Sequence, residues 1–384
     1  MPGPSRGEVP ADALPLRGVR ILDLSRVLAG PLATMVLADL GADVVKLERP
    51  GTGDDTRAWG PPFVGDDAAY FLALNRNKRS VAIDLATAEG RAAARRLALG
   101  SDVVVENFRP GLMEDFGLAH AQLVGDHPGI VSCSLTAFDE GDRATRPGYD
   151  IIVQALSGHM SVTGDPDRPP TKPGVALLDV VCGLYAANAI QAALRRRDAT
   201  GIGAHVRVSL FGSGVAALVN QAANFLLGGL VPTRMGTAHP NIVPYQVFEA
   251  ADRPFVLAAG NDRAFIRTCG VLDRDDLATD ARYATNAGRV AHRGELVAEL
   301  AVAFAARPAA AWLAELDAAG VPCSEVRTID EVFASPEGAA TLQAFDDPAH
   351  GHLRLPRTPI AIDGADLPVR LPPPALGADG DLLA

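Results

Sequence analysis

The sequence has no glycine-rich nucleotide loop. Neither a Walker A motif nor GxGxxG follows the first predicted strand, where the chain reads Ser25-Arg-Val-Leu-Ala-Gly-Pro31. That turn has too few glycines for a backbone to approach a pyrophosphate closely, which disfavours a nicotinamide enzyme. HExxH, EF-hand loops and clustered Cys/His groups are missing too, and the eight histidines are scattered, so no metal site is expected. Without GxSxG, a serine nucleophile of the hydrolase kind is disfavoured. Cysteine is scarce: Cys133, Cys182, Cys269 and Cys323 lie far apart without CxxC spacing, which suggests reduced, structural thiols in a cytoplasmic protein. Positive charge is in deficit. A net charge of -11 argues against a nucleic-acid surface but leaves room for a local basic pocket. The stretch Met1 to Pro15 has no apolar signal-peptide core and is expected to be a loose lead-in.

What is present is an ordinary globular composition, 48% hydrophobic and 21% charged over 384 residues, enough for a large core and two domains. Strand signals fall at Val19 to Leu24, Asp43 to Glu48, Val81 to Leu85, Asp102 to Val105 and Ile130 to Leu135. Helices are expected at Gly30 to Leu40, Glu89 to Leu99 and Asp150 to Leu156. Alternating strand and helix signals imply a parallel sheet in a wound α/β domain. Helix signals then run from Ser209 to Leu227. A hairpin, Gln246–Glu249 with Phe255–Ala258, and helices at Arg289 to Ala305 and Pro308 to Ala319 indicate a smaller α+β domain. The expected division is 16–225 for the large domain, 226–326 for the small one, and 327–384 for a segment returning to the first. The Pro-rich tail should be extended.

The longest apolar stretch, Leu177 to Leu194, approaches a membrane span in length. It contains Asp179, Asn188 and Gln191 and ends in Arg195-Arg-Arg197, so a buried helix is expected and no membrane is implied. Asp179 stands in the run Val175-Ala-Leu-Leu-Asp-Val-Val-Cys. A charge buried there costs several kcal/mol unless it is paired or its desolvation serves chemistry. Two readings stand: a capping or surface carboxylate at a helix start, or a carboxylate kept dry in order to attack.

Three polar clusters fall where strands are expected to end: Lys46 to Asp54, Leu74 to Ser80, and Glu106-Asn-Phe-Arg-Pro-Gly111. Ligands of open α/β sheets bind beyond the carboxyl ends of strands, so these clusters suit one anion, with Arg and Lys for phosphates and Asn and Phe for an adenine. Taken together, Arg26 to Pro31, Gly41 to Pro50, Leu74 to Ser80, Glu106 to Gly111 and the Asp179 segment resemble the class III coenzyme A transferases (the CaiB/BaiF, formyl-CoA transferase-like family), which also include the α-methylacyl-CoA racemases. The resemblance runs from about Leu16 to about Pro374.

The resemblance implies a Rossmann-like large domain built from both chain ends, a smaller α+β domain and an interlocked homodimer. It implies that Asp179 is a nucleophile forming an aspartyl-CoA thioester. CoA contacts carried over from the family are Leu28, Ala29, Arg49, Leu74, Asn75, Arg76, Asn77, Asn107, Phe108 and Arg109. Coenzyme A and acyl-CoA would be substrates, with no prosthetic group. Racemases carry His where this chain has Tyr149, which is about four pKa units too weak an acid to replace imidazole, so transfer is favoured. Leu28 stands where oxalate-specific members carry Gln. Gly236 to Gln246 is similar to members using succinyl-CoA and other dicarboxylates, with His239 at the site mouth or structural, and Arg109 or Arg26 clamping the remote carboxylate. A racemase-like enzyme, a CoA hydrolase and a non-catalytic acyl-CoA-binding protein remain as alternatives.

Overall fold

The computed structural model describes residues 7–139 and 143–383. Two compact units are present. The first takes Met1–His159, Pro173–Val219 and Pro336–Ala384; the second takes Met160–Lys172 and Asn220–Ser335.

The first unit is built on six strands: β1 (Arg20–Asp23), β2 (Asp43–Glu48), β3 (Lys78–Ala82), β4 (Val103–Glu106), β5 (Val131–Thr136) and β6 (Ala204–Ser209). All neighbours pair in parallel in the order β3-β2-β1-β4-β5-β6. Strands covered on both faces must be apolar nearly throughout, and β4, Val-Val-Val-Glu, is buried at every position. Helix α1 (Ala29–Asp39) follows β1, and Gly41 turns the chain into β2. Gly41 has φ of +111°, and a Cβ there would stand 2.5 Å from the Leu14 side chain, so only glycine serves. Helix α2 (Ala88–Leu99) begins on a Thr87 cap, whose hydroxyl accepts from Gly90 N.

Two expectations change here. Strand β3 starts at Lys78, not Val81, because two polar residues are neutralised inside it. Lys78 Nζ meets Asp23 at 3.1 Å and Ser80 Oγ donates to Glu48 at 2.6 Å, so both tolerate full burial. Of the lead-in, residues 1–6 lie outside the described set, and the rest is tied down rather than loose. Val9 and Leu14 are buried, and Val9 N donates to Asp366 O at 2.9 Å.

The chain then forms α3 (Asp150–Leu156), α4 (Leu177–Thr200) and α5 (Leu210–Ala217). By length and composition α4 could cross a membrane. Here it lays Leu178, Cys182, Ala186, Ile190 and Leu194 into the core shared with α1 and the sheet, while Leu184 and Tyr185 stay about half exposed. The helix expected from Ser209 to Leu227 is broken after α5, where Val219 takes φ of +40°. The tail is extended over the β3 edge: Asn77 N donates to Leu371 O, and Gly377 N to Ser80 Oγ. That covering removes an exposed sheet edge. Before it, a hairpin of Leu342–Asp347 with Gly351–Pro356 gave no clear sequence signal.

In the second unit, the expected hairpin pairs Tyr245–Glu249 with Pro254–Ala258, and Cys323–Glu325 adds a third strand. Helices Asn286–Ala291, Arg293–Phe304 and Ala309–Ala318 bury Phe304 and Trp312 against the strand residues Phe248 and Phe255. All four cysteines of the chain are free.

Candidate active site

The site grows from the loop between β1 and α1. Asn107, just beyond β4, holds that loop with both ends of its amide: Oδ1 accepts from Arg26 N at 2.9 Å and Nδ2 donates to Arg26 O at 2.8 Å. Asp54 accepts from Val27 N at 3.2 Å and is itself held by the buried Lys46 at 2.9 Å. Val27 has φ of +73°, a region a β-branched residue enters at a cost of about 1–3 kcal/mol. Strain of this kind persists only where the surroundings dictate it. The first turn of α1 has no side-chain cap, which leaves the N–H groups of Ala29 and Gly30 for an anion, Pro31 having none.

Asp179 stands in the first turn of α4. Gly183, one turn on, lets α4 approach α1: a Cβ there would lie 2.6 Å from the Ala29 carbonyl oxygen. Leu28, Ala29, Asn107, Phe108, Arg109, Tyr149 and Asp179 thus line one cavity of about 220 Å³. Burial, then the neighbouring Asp150 carboxylate, pushes the Asp179 carboxyl up to about 7. No ion pair to Asp179 is formed among the described residues. Arg26, by contrast, is committed to Asp55 at 3.0 Å. Arg109 and Arg146 also line the cavity.

A second cavity, of about 290 Å³, shares Arg26 and Phe108 with the first. Arg49, Ile83, Leu85, Leu112 and Phe116 complete much of its wall. The Phe108 ring packs edge-on against Phe116 with centroids 5.7 Å apart, and the Arg26 guanidinium lies 5.9 Å from the Phe108 centroid. Aromatic, aliphatic and guanidinium groups together suit a planar heterocycle bearing phosphates.

The structure does not bring Leu74, Asn75, Arg76 and Asn77 to either cavity. Because β3 begins at Lys78, this segment enters the strand instead of following it, and it lies at the amino end of the sheet. Its polar groups are already used. Asn75 donates to Phe71 O, Arg76 pairs with Asp39 at 2.6 Å, and Asn77 bonds Asp39 and accepts from Leu371 N. The residues that do reach the cavity from this strand are Ile83 to Ala86, beyond its carboxyl end. His239 belongs to the second unit, where its Nδ1 accepts from Asn241 N at 3.1 Å.

Sequence reasoning missed Tyr70 and Asp150. Tyr70 stacks on Trp59 with centroids 5.7 Å apart, and burial with the charges of Asp179, Asp150 and Asp54 pushes its phenol up to about 12. It therefore keeps its proton at neutral pH. No local pattern marks Tyr70; Asp150 had a signal, since it adjoins Tyr149 in Pro147 to Asp150.

The chain is similar to known proteins along nearly its whole length. The chain is 43% identical to a succinate–glutarate CoA-transferase of Agrobacterium fabrum, over 96% of this chain and 95% of that one. It is 42% identical to a succinyl-CoA:glutarate CoA-transferase of Mus musculus, over 94% and 84%. A solved structure of a CAIB/BAIF family protein from Brucella suis matches with a TM-score of 0.84 at 44% identity, over 96% of this chain and 97% of that one. Residues 16–380 match the CoA-transferase family III, and the chain belongs to that family of enzymes.

Proposed function

We propose that this transferase moves CoA from succinyl-CoA to a dicarboxylic acid through a covalent intermediate on Asp179. One observation carries the reading: the Asp179 carboxyl is desolvated at a cavity wall, beside the Asp150 carboxylate and without an ion-pair partner among the described residues. A carboxylate so placed is a stronger base and nucleophile than an ion-paired one.

Asp179 attacks the thioester carbonyl, the C–S bond breaks, and a mixed anhydride forms with release of CoA thiolate. The thiolate, held by its nucleotide in the adjoining cavity, attacks the aspartyl carbonyl. The donor leaves as a carboxylate and an aspartyl-CoA thioester remains. The acceptor carboxylate then attacks that thioester to give a new mixed anhydride, and the thiolate takes the acyl group and frees Asp179. No net proton transfer is needed. Anchoring CoA keeps its thiolate at high effective concentration, and exclusion of water protects the anhydrides. Arg109, which has no ion-pair partner among the described residues, is better suited than Arg26 to the acceptor's remote carboxylate. A second copy of the chain would cover Ile151, Ile152, Leu184 and Tyr185, each about half exposed on α3 and α4, which supports the homodimer.

The test is intact-protein mass spectrometry after incubation with succinyl-CoA. A CoA-sized adduct in the wild type, absent from Asp179→Ala and removed by hydroxylamine, is expected. Exchange of the substrate's α-proton without an adduct would instead establish racemase chemistry. Thiol release without an acceptor acid would establish a hydrolase.

A further inference from the structure

We propose that Asp150 is a positioning residue for Asp179: its carboxylate, carried on α3, caps the first turn of α4 and fixes both where the Asp179 side chain stands and which charge it faces. The proposal rests on the reading of Asp179 as nucleophile.

Helix α4 begins without a cap of its own, because Ala176 at the N-cap has no side-chain oxygen. Asp150 supplies the missing acceptor from another helix. Its Oδ1 accepts from Leu178 N at 2.8 Å and from Asp179 N at 3.3 Å. Its Oδ2 accepts from Gln154 Nε2, one turn along α3. Asp150 and Gln154 are buried. The backbone of the nucleophile is thus bonded directly to a second carboxylate, and α3 cannot shift without moving Asp179.

The same contact sets the electrostatics. The N-terminus of a long helix favours a carboxylate's ionised form. The Asp150 charge sits on the donors that carry this field and offsets it. The titratable and charged groups around Asp179 are Asp150 from α3, the protonated Tyr70, Cys182 one turn on, and the cations Arg26, Arg109 and Arg146 that line the cavity, none in an ion pair with it among the described residues. Of these, the Asp150 charge is the one that, after burial, raises the Asp179 carboxyl to about 7.

Substitution separates the two roles. Asp150→Asn keeps an oxygen for Leu178 N and Asp179 N but removes the charge. Its new amide nitrogen finds a ready acceptor in Gln154 Oε1, which is buried without a partner. Asp150→Ala removes acceptor and charge, and Asp150→Glu keeps the charge but displaces the acceptor by a methylene.

The experiment is the pH dependence of single-turnover aspartyl-CoA formation with succinyl-CoA, followed by quench and mass spectrometry, with a thermal melt of each variant. In Asp150→Asn the acid limb should move down by about half a pH unit or more, with a plateau rate within about threefold of wild type. Asp150→Ala should show the same displacement and a plateau at least about tenfold lower. Asp150→Glu should keep the wild-type limb with a lowered plateau. A wild-type limb in both Asn and Ala variants, or equal plateaus for those two, overturns the proposal. If Asp150→Asn does not fold, an unmoved limb in Asp150→Ala relative to Asp150→Glu is equally decisive. Failure of wild type itself to form the adduct refutes the nucleophile reading, and this inference with it.

Discussion

Asp179→Asn should give a more stable protein, and only above mildly acid pH. The folded chain raises the Asp179 carboxyl from 3.8 to about 7. An acid whose pKa is raised by folding holds its proton more tightly in the folded state. Its contribution to stability is therefore complete below the unfolded pKa and is lost as pH climbs through about 7. At 1.36 kcal/mol per unit, the roughly three-unit rise sets a ceiling of about 4 kcal/mol at pH 8. Asp179 retains some solvent contact, which screens part of that cost, so about 1–3 kcal/mol is the working expectation. Asparagine keeps the shape and removes the charge, relieving burial and the repulsion from Asp150 together. Urea unfolding of wild type and Asp179→Asn at pH 8 and pH 4.5 measures this, with Tm rising about 2–4 °C for each kcal/mol in a unit of this size. The gain should be full at pH 8 and clearly smaller at pH 4.5, shrinking toward zero only below the unfolded pKa, while adduct formation is abolished throughout. A variant no more stable than wild type at pH 8, or a gain independent of pH, would refute the claim that Asp179 is held desolvated and unpaired.

Three further outcomes follow from the frame around the site. Lys78→Met should destabilise by about 3–5 kcal/mol, because it strips the buried Asp23 of its cation 3.1 Å away; adding Asp23→Asn should recover most of that loss in denaturant titrations. Gly183→Ala places a Cβ 2.6 Å from the Ala29 carbonyl and must push α4 from α1. It should remain folded, at about 1–3 kcal/mol cost, yet lower kcat/KM about tenfold or more, and unchanged kinetics would refute close helix approach as a requirement of the site. Val27→Gly relaxes a φ of +73° and should cost nothing or gain about 1 kcal/mol despite losing a side chain; a loss above about 2 kcal/mol in urea would show that Val27 is not strained.

How far the sequence could be read depended on whether the signal was local. Asp43 to Glu48 and Asp150 to Leu156 are legible to the residue, because period and flanking turns agree. Strand β6 was not picked out, although His205 and Arg207 alternate with apolar residues as the exposed face of an edge strand does. The break at Val219 was hidden too, because an αL conformation at a β-branched residue has no local signature. The misplacement of Leu74 to Asn77 has a single cause. A strand opening on Lys78 reads as a polar loop until Asp23, two strands away in the sheet, is known to be its partner.

The same contrast explains why Asp179 stood apart in the sequence. Buried carboxylates in this protein are mostly paired: Asp23 with Lys78, Asp39 with Arg76, Glu48 with Arg57, Asp54 with Lys46. The partners of Asp23 and Asp39 are distant in sequence, and those of Glu48 and Asp54 lie across a loop, so no local pattern marked any of these pairs. Asp179 stood out by lying within the longest apolar run, and the structure adds the distinction that matters. A cation at Asp179 would ease its burial, but it would also lower its basicity and spend the lone pairs that must attack a thioester. Facing it with Asp150 does the reverse. The paired carboxylates hold the strands and loops around the site, while Asp179 lines the cavity without a cation partner among the described residues, the placement a nucleophile would need.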